Sequence, residues 1–289
     1  MTALHEFAPA KLNLYLHITG RQENGYHDLD SLVAFATIGD EVHLNPASEF
    51  SFTITGPQAG ALAHENLDDN LVVKAARSLA ELTKRELDVS LTLVKHLPVA
   101  SGIGGGSSDA AAVLRALARH WGLDKDDPRI FEAAAKHGQD VPVCVRIENN
   151  YMTATGVMPA PPLPRADIVL VNPNQALPTP GVYKEYRNGN DPFSPLSRLE
   201  RAPKTVEEMV DALKLRSNDL YAPACRLMPE IVEITDAIGA TGKCLLTRMS
   251  GSGATCFGLY ADAESAQAAA AHLRHAYPGW WVEAGAINA

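Results

Sequence analysis

The segment Pro98–Ala112, PVASGIGGGSSDAAA, holds the residue pattern best suited to chemistry. Gly102, Gly104, Gly105 and Gly106 fill four of five positions. A predicted strand, Val89–Leu93, precedes them. A predicted helix from Ser107 to about Trp121 follows. Glycine permits positive φ and puts no side chain in the way. Successive N–H groups can then turn toward one point and hold an anion. The helix start adds unpaired donors and the positive end of its dipole. Ser107 and Ser108 offer hydroxyls to a phosphate or to a phosphate-bound Mg²⁺. The order strand, glycine loop, capped helix points to a polyphosphate cradle rather than a flexible loop with a Ser cap. A Walker A loop is excluded, because no Lys follows the glycines. The dinucleotide fingerprint fails as well, since Ser107 stands at its third glycine.

Phosphoryl transfer to an alcohol needs, besides the cradle and a metal, a group for the hydroxyl proton and a nearby cation. Asp140 lies in HGQDVPVC, between a predicted helix, Ile130–His137, and a predicted strand, Val141–Ile147. Apolar neighbours would aim its carboxylate into a cleft, although a capping Asp suits the same sequence. Lys11 starts the apolar run APAKLNLYL, where it reads as a catalytic cation or as a snorkelling side chain. Tyr26 and His27 in GYHD place an aromatic ring beside an imidazole; alone, they also read as a turn with a solvent-facing His. Ser250-Gly251-Ser252-Gly253 is a second glycine loop, by itself a tight turn.

The chain has 289 residues, enough for two domains and a sizeable core. At 46% hydrophobic and 20% charged, its composition is that of a globular protein. A net charge of −9 argues against sequence-independent nucleic-acid binding. Cys144, Cys225, Cys244 and Cys256 form no CxxC pair, and such sparse cysteines suit a reducing compartment. No apolar run approaches the ~18 residues of a membrane span. Glu6 and Lys11 interrupt any signal-peptide core. The expectation is a cytoplasmic protein, monomer or weak homodimer, that meets small molecules rather than nucleic acid or membrane.

The elements that must position these residues are mixed. Leu12, Leu14 and Leu16 alternate with Asn13, Tyr15 and His17, which predicts a first strand with one polar face. Gly20–Asp28 reads as a polar connection with an Asn-Gly turn. Strands are expected at Asp40–Leu44, Phe50–Thr55, Tyr151–Ala154, Ile168–Val171, Lys243–Met249, Thr255–Tyr260 and Trp280–Ala284. Helices are expected at Leu71–Leu82, Thr205–Leu215, Ala222–Ile238 and Ala263–His275. Leu177–Tyr186 is a Pro-punctuated segment, LPTPGVYKEY. The proline stretch Met158–Ala166 suggests a boundary, giving domains 1–160 and 161–289. Without strict strand–helix alternation, the class is α+β.

Three segments in order resemble the GHMP kinase superfamily: Ala8–Leu14, Pro98–Ser108 and Ser250–Phe257. The pieces AKLNLYLHITGRQENGYHDLDSL, GQDVPVCV and LPTPGVY are similar to the members that act on a cytidine diphosphate-linked methylerythritol. The resemblance implies an N-terminal domain like the second domain of ribosomal protein S5, a ferredoxin-like C-terminal domain and an active site in the cleft between them. It implies ATP-dependent phosphorylation of the 2-hydroxyl of that substrate, in the non-mevalonate route to isoprenoid precursors, with Mg²⁺. Lys11 and Asp140 match the catalytic pair. The ATP cradle would comprise Pro98, Val99, Ala100, Ser101, Gly102, Ile103, Gly104, Gly105, Gly106, Ser107 and Ser108. Ser108 is also a candidate metal ligand. Asn13 and His27 match positions that hydrogen-bond cytosine. Tyr26 matches an aromatic that stacks on it, Tyr183 a second ring, and Thr179 and Pro180 the pocket wall. Ser101 departs from the usual Gly or Ala, and another aromatic is common at Tyr183. The expected rivals are another GHMP small-molecule kinase of mevalonate or homoserine type and a non-catalytic nucleotide-binding protein.

Overall fold

The computed structural model describes residues 3–23, 25–189 and 192–288; Asn24 of the expected Asn-Gly turn lies outside them. Two compact units interleave along the chain. The first comprises Met1–Ala10, Gly39–Val99 and Gly104–Ile147; the second comprises Lys11–Ile38, Ala100–Ile103 and Glu148–Ala289. The long strands β1 (Leu4–Arg21) and β2 (His27–Pro46) supply residues to both.

In the first unit, β2 pairs antiparallel with β4 (Val89–Val94), from Glu41↔Val94 to Pro46↔Val89. The strand β3 (Ser51–Thr55) pairs parallel with β4. Val89, Leu91 and Leu93 are buried while the residues between them are half-buried, the period-two pattern of a one-sided sheet. The helices are α1 (Leu71–Thr83), α2 (Gly105–Trp121), α3 (Pro128–Ala135) and α4 (Asp140–Arg146). Ala110, Ala111, Ala112, Ala116 and Ala118 of α2 are buried. Their small side chains let α1, α3 and α4 pack closely around α2. Asn70 caps α1 by accepting from the Val72 N–H at 2.9 Å.

The expected strand Val141–Ile147 is instead α4. Periodicity cannot separate a short apolar run from a buried helical turn. Asp140 in the first turn favours the helix dipole, and Pro142 falls where a helix has no N–H partner to lose. Packing against α2 and α3 then overrides the β preference of three valines.

In the second unit, β2 pairs antiparallel with β5 (Asn150–Thr153), which forms a hairpin with β6 (Gly156–Pro159). A second antiparallel run has the order β10–β7–β9–β8. Here β7 is Ala166–Asn172, β8 Leu246–Met249, β9 Cys256–Tyr260 and β10 Trp281–Ile287. Ile287 of β10 pairs with Ala36 of β2. The helices are α5 (Thr179–Gly189), α6 (Val206–Lys214), α7 (Tyr221–Leu227), α8 (Glu230–Gly239) and α9 (Ala263–Ala276). Val169 and Val171 meet Ile231, Ile234 and Ile238 of α8 and Ala269 and Leu273 of α9 in one core.

The Pro-punctuated segment Leu177–Tyr186 is mostly helix, because Pro180 sits in the first turn of α5, where its fixed φ helps. The single helix expected over Ala222–Ile238 breaks at Met228, held at φ −142° by the following Pro229. No helix among the described residues is long and apolar enough to cross a membrane. Replacing Asn70 with Ala should destabilise the fold by about 1 kcal/mol through the lost cap. Urea denaturation measures this, and an unchanged midpoint would show that the cap contributes nothing.

Candidate active site

The first strand is not half wet. Asn13, Tyr15 and His17 are all buried, each with a polar partner. Asn13 Nδ2 donates to Ser31 Oγ at 2.7 Å, and Tyr15 Oη donates to Asp30 Oδ2 at 3.2 Å. His17 Nδ1 lies 3.1 Å from the Pro195 carbonyl. Satisfied polar groups make burial of both faces possible. Lys11 is 4% exposed, and its Nζ donates to Asn13 Oδ1 at 3.1 Å. Asn13 therefore positions the ammonium and is itself fixed by Ser31.

The second unit brings segments of the three motifs together. The Lys11 N–H donates to the Ile103 carbonyl at 2.9 Å, and the Thr255 N–H to the Ser101 carbonyl at 3.0 Å. Ser250 Oγ accepts from the Asn13 N–H at 3.1 Å and donates to the Gly102 carbonyl at 3.0 Å. Ala100, Gly102 and Gly104 take φ of 49°, 76° and 64°, so the loop turns repeatedly through the left-handed region. A Cβ on Gly102 would lie 2.5 Å from the Ser250 carbonyl oxygen; one on Gly251 would lie 2.6 Å from that of Gly102. Only glycine lets the two loops meet backbone to backbone.

Thr179 at the head of α5 joins the same cluster, its Oγ1 2.8 Å from Ser252 Oγ. Pro180 follows it in the first turn. His27 stacks on Tyr183, with centroids 5.1 Å apart at 26°, and meets Tyr186 edge-on at 5.8 Å. Burial, aided by Arg187 and Arg21, lowers the His27 pKa, so the ring stays neutral and offers one donor and one acceptor. Tyr26 is 63% exposed.

The first unit holds Pro98, Val99 and Gly104 to Ser108. Gly104 precedes α2, which begins two residues earlier than expected, at Gly105. Gly105, Gly106 and Ser107 therefore present helix N-terminal N–H groups. Ser108 Oγ and Asp109 Oδ1 are buried without a hydrogen-bond partner among the described residues. An orphaned hydroxyl at a glycine loop fits a phosphate oxygen or a hard Mg²⁺, both of which favour oxygen chemistry. Beneath the loop, Lys95 Nζ contacts Asp40 Oδ2 at 2.5 Å and Asp109 Oδ2 at 2.8 Å, all three buried. Asp40 Oδ1 also accepts from the N–H groups of His96 and Leu97. Burial foremost, with Asp40 adding to it, pushes the Asp109 carboxyl up to about 8 against the pull of Lys95. The two carboxylates raise the Lys95 pKa despite its burial. Asp140 opens α4, half-buried, and belongs to this unit, whereas Lys11 belongs to the other.

Sequence reasoning missed Ser31, Lys95, Asp40 and Asp109. The one visible signal was Lys95, a charge closing the alternating run VSLTLV.

Gly102→Ala should cost more than about 1 kcal/mol, since both φ and the Ser250 carbonyl oppose a Cβ. Gly106→Ala, whose Cβ would meet only Leu71 at 3.5 Å, should be neutral or stabilising. Equal denaturation midpoints for the two variants would refute the close approach. The GHMP kinases N terminal domain model matches residues 70–147, and the GHMP kinases C terminal model matches 198–279. A curated 4-diphosphocytidyl-2-C-methyl-D-erythritol kinase of Rhodospirillum rubrum is 48% identical over 281 residues, 96% of this chain and 91% of that one. One from Paramagnetospirillum magneticum is 48% identical over 284 residues, covering 98% of each. A crystal structure of 4-(cytidine 5'-diphospho)-2C-methyl-D-erythritol kinase aligns at TM-score 0.79 and 32% identity, covering 99% of this chain and 100% of that one. Homoserine kinase from Cytophaga hutchinsonii shares the fold at TM-score 0.69 and 17% identity, over 99% of this chain and 95% of that one. The two family models and the near-full-length relatives place this chain in the GHMP kinase family.

Proposed function

We propose that this chain transfers the γ-phosphoryl group of ATP to the 2-hydroxyl of 4-diphosphocytidyl-2-C-methyl-D-erythritol, a step of the non-mevalonate route to isoprenoid precursors. The observation that carries phosphoryl transfer is the meeting of Lys11, the glycine loop and the SGSG loop. The curated relatives supply the substrate.

In this reading the 2-hydroxyl oxygen attacks the γ-phosphorus. Its proton passes to Asp140, and the bond from phosphorus to the β,γ-bridging oxygen breaks to release ADP. Lys11, held by Asn13, stabilises charge on the attacking oxygen and on Asp140. The segment Pro98–Ser108 cradles the phosphates, with backbone N–H groups between Val99 and Ser107 as the donors. The Ser108 hydroxyl would hold Mg²⁺, which neutralises phosphate charge when bound. His27 and Asn13 read the cytosine edge. Tyr26 and Tyr183 stack on the ring, and Thr179 and Pro180 shape the wall. The division of labour places ATP binding and catalysis in 1–160 and part of the substrate site in 161–289. The gap between the two family models, from 147 to 198, supports that division. The sparse cysteines support a reducing, cytoplasmic setting, and the reading takes the protein as a monomer or weak homodimer.

The direct test is ADP release with Mg·ATP and the cytidyl substrate, with mevalonate and homoserine in parallel. Turnover should require the cytidyl compound; release with another alcohol alone would keep the chemistry and remove the substrate. Asp140→Asn should cut kcat by about 10²-fold or more and leave the KM for ATP nearly unchanged. A near-wild-type kcat would take Asp140 out of the mechanism.

The lowered His27 pKa sets a sign for the pH profile. The neutral ring persists below the ordinary imidazole range, about 6.5, so the KM for the cytidyl substrate should rise only under more acidic conditions. A rise centred at or above that range would contradict a neutral His27 as the reader of the base.

A further inference from the structure

Outside the residues assigned above, the first unit carries a cluster of three metal-ligating side chains, His5, Glu41 and His43. His5 lies on β1, and Glu41 and His43 lie on β2, its neighbour. Residues two apart on a strand share a face, so Glu41 and His43 point the same way. Both imidazoles bring Nε2 to one oxygen, Glu41 Oε2, at 3.1 Å from His5 and 3.2 Å from His43. The ring centroids are 4.9 Å apart. Arg119 donates to the His5 carbonyl at 3.0 Å, which steadies the strand end, while its Nε faces Glu6.

We propose that His5, Glu41 and His43 form a three-ligand site for a borderline divalent transition cation such as Zn²⁺. Two imidazole nitrogens and one carboxylate oxygen are a zinc donor set. Hard Mg²⁺ and Ca²⁺ prefer oxygen alone. A tetrahedron with metal–ligand bonds of about 2.0–2.1 Å has edges of about 3.3 Å. The two nitrogen–oxygen separations already match that edge. The His5 side chain is 51% exposed, so solvent can reach the fourth position. The cation would fasten β1 to β2 and take no part in phosphoryl transfer. A ligand that binds only the folded chain stabilises it.

The test uses tag-free, full-length protein near neutral pH. Zn²⁺ is titrated in competition with a chromophoric chelator, and thermal unfolding is followed with and without the metal. One equivalent should bind saturably and raise Tm, and millimolar Mg²⁺ should not displace it. His5→Ala and His43→Ala should each weaken binding at least about tenfold and abolish the Tm rise. Their ADP release without added zinc should stay unchanged. Glu41→Gln, which keeps the side-chain shape, should also bind more weakly. Absence of saturable binding overturns the site. Affinity unchanged in these variants does so too, because the zinc would then sit on other residues, such as the cysteines.

Discussion

The approach of Gly102 to Gly251, backbone against backbone, is the constraint on which the second unit's site depends. A glycine loop left to itself would sample many shapes, since glycine loses more freedom on ordering than any other residue. Here the loop has partners on both sides. The Lys11 N–H and the Thr255 N–H take its carbonyls, and Ser250 Oγ bridges it to Asn13. With its carbonyls engaged, the loop's backbone dipoles are held in one arrangement. Preorganised dipoles of this kind require no rearrangement when charge develops.

The first unit secures its part of the loop by charge rather than by close backbone approach. Lys95 joins Asp40 of β2 to Asp109 of α2 in a buried trio with one cation and two acids. Such a trio is costly to bury, and removing one member from it costs more than never having built it. The Asp40 bonds to the His96 and Leu97 N–H groups offset part of that cost. Asp109 follows Ser108 directly, so the helix start is tethered one residue beyond the orphaned hydroxyl. Arg115 adds a second tether, donating to Glu6, to the Phe7 carbonyl and to the Cys144 carbonyl of α4.

Much of the fold was legible from local signals. The Asn70 cap, the alanine-rich α2 and the period-two pattern of β4 each state their own element. The failures share a physical cause. Val141–Val145 is apolar enough for strand or helix, and only packing against α2 and α3 decides. The partners of the polar face of β1, Ser31, Asp30 and Pro195, are distant in sequence, so the alternation alone did not reveal its burial. The site divides the same way. Glycine loops announce themselves by composition. The Lys95 trio does not, because its members stand 55 and 14 residues apart and acquire meaning only once folded. His27 was visible, but its stacking on Tyr183 depends on α5, a helix that the Pro-punctuated sequence did not announce.

The meeting of residues 100–103 with 250–255 also has a consequence for synthesis. The glycine loop leaves the ribosome roughly 150 residues before its partner segment. At about 5–20 residues per second, it waits roughly 8–30 s for the contacts that shape it. During that interval the nascent chain carries an unfinished glycine loop. The early segments of the second unit must stay unpaired or lean on temporary neighbours. Interactions of such long sequence separation are slow to close. The shape of the glycine loop is therefore a property that this chain gains only after residues 250–255 emerge.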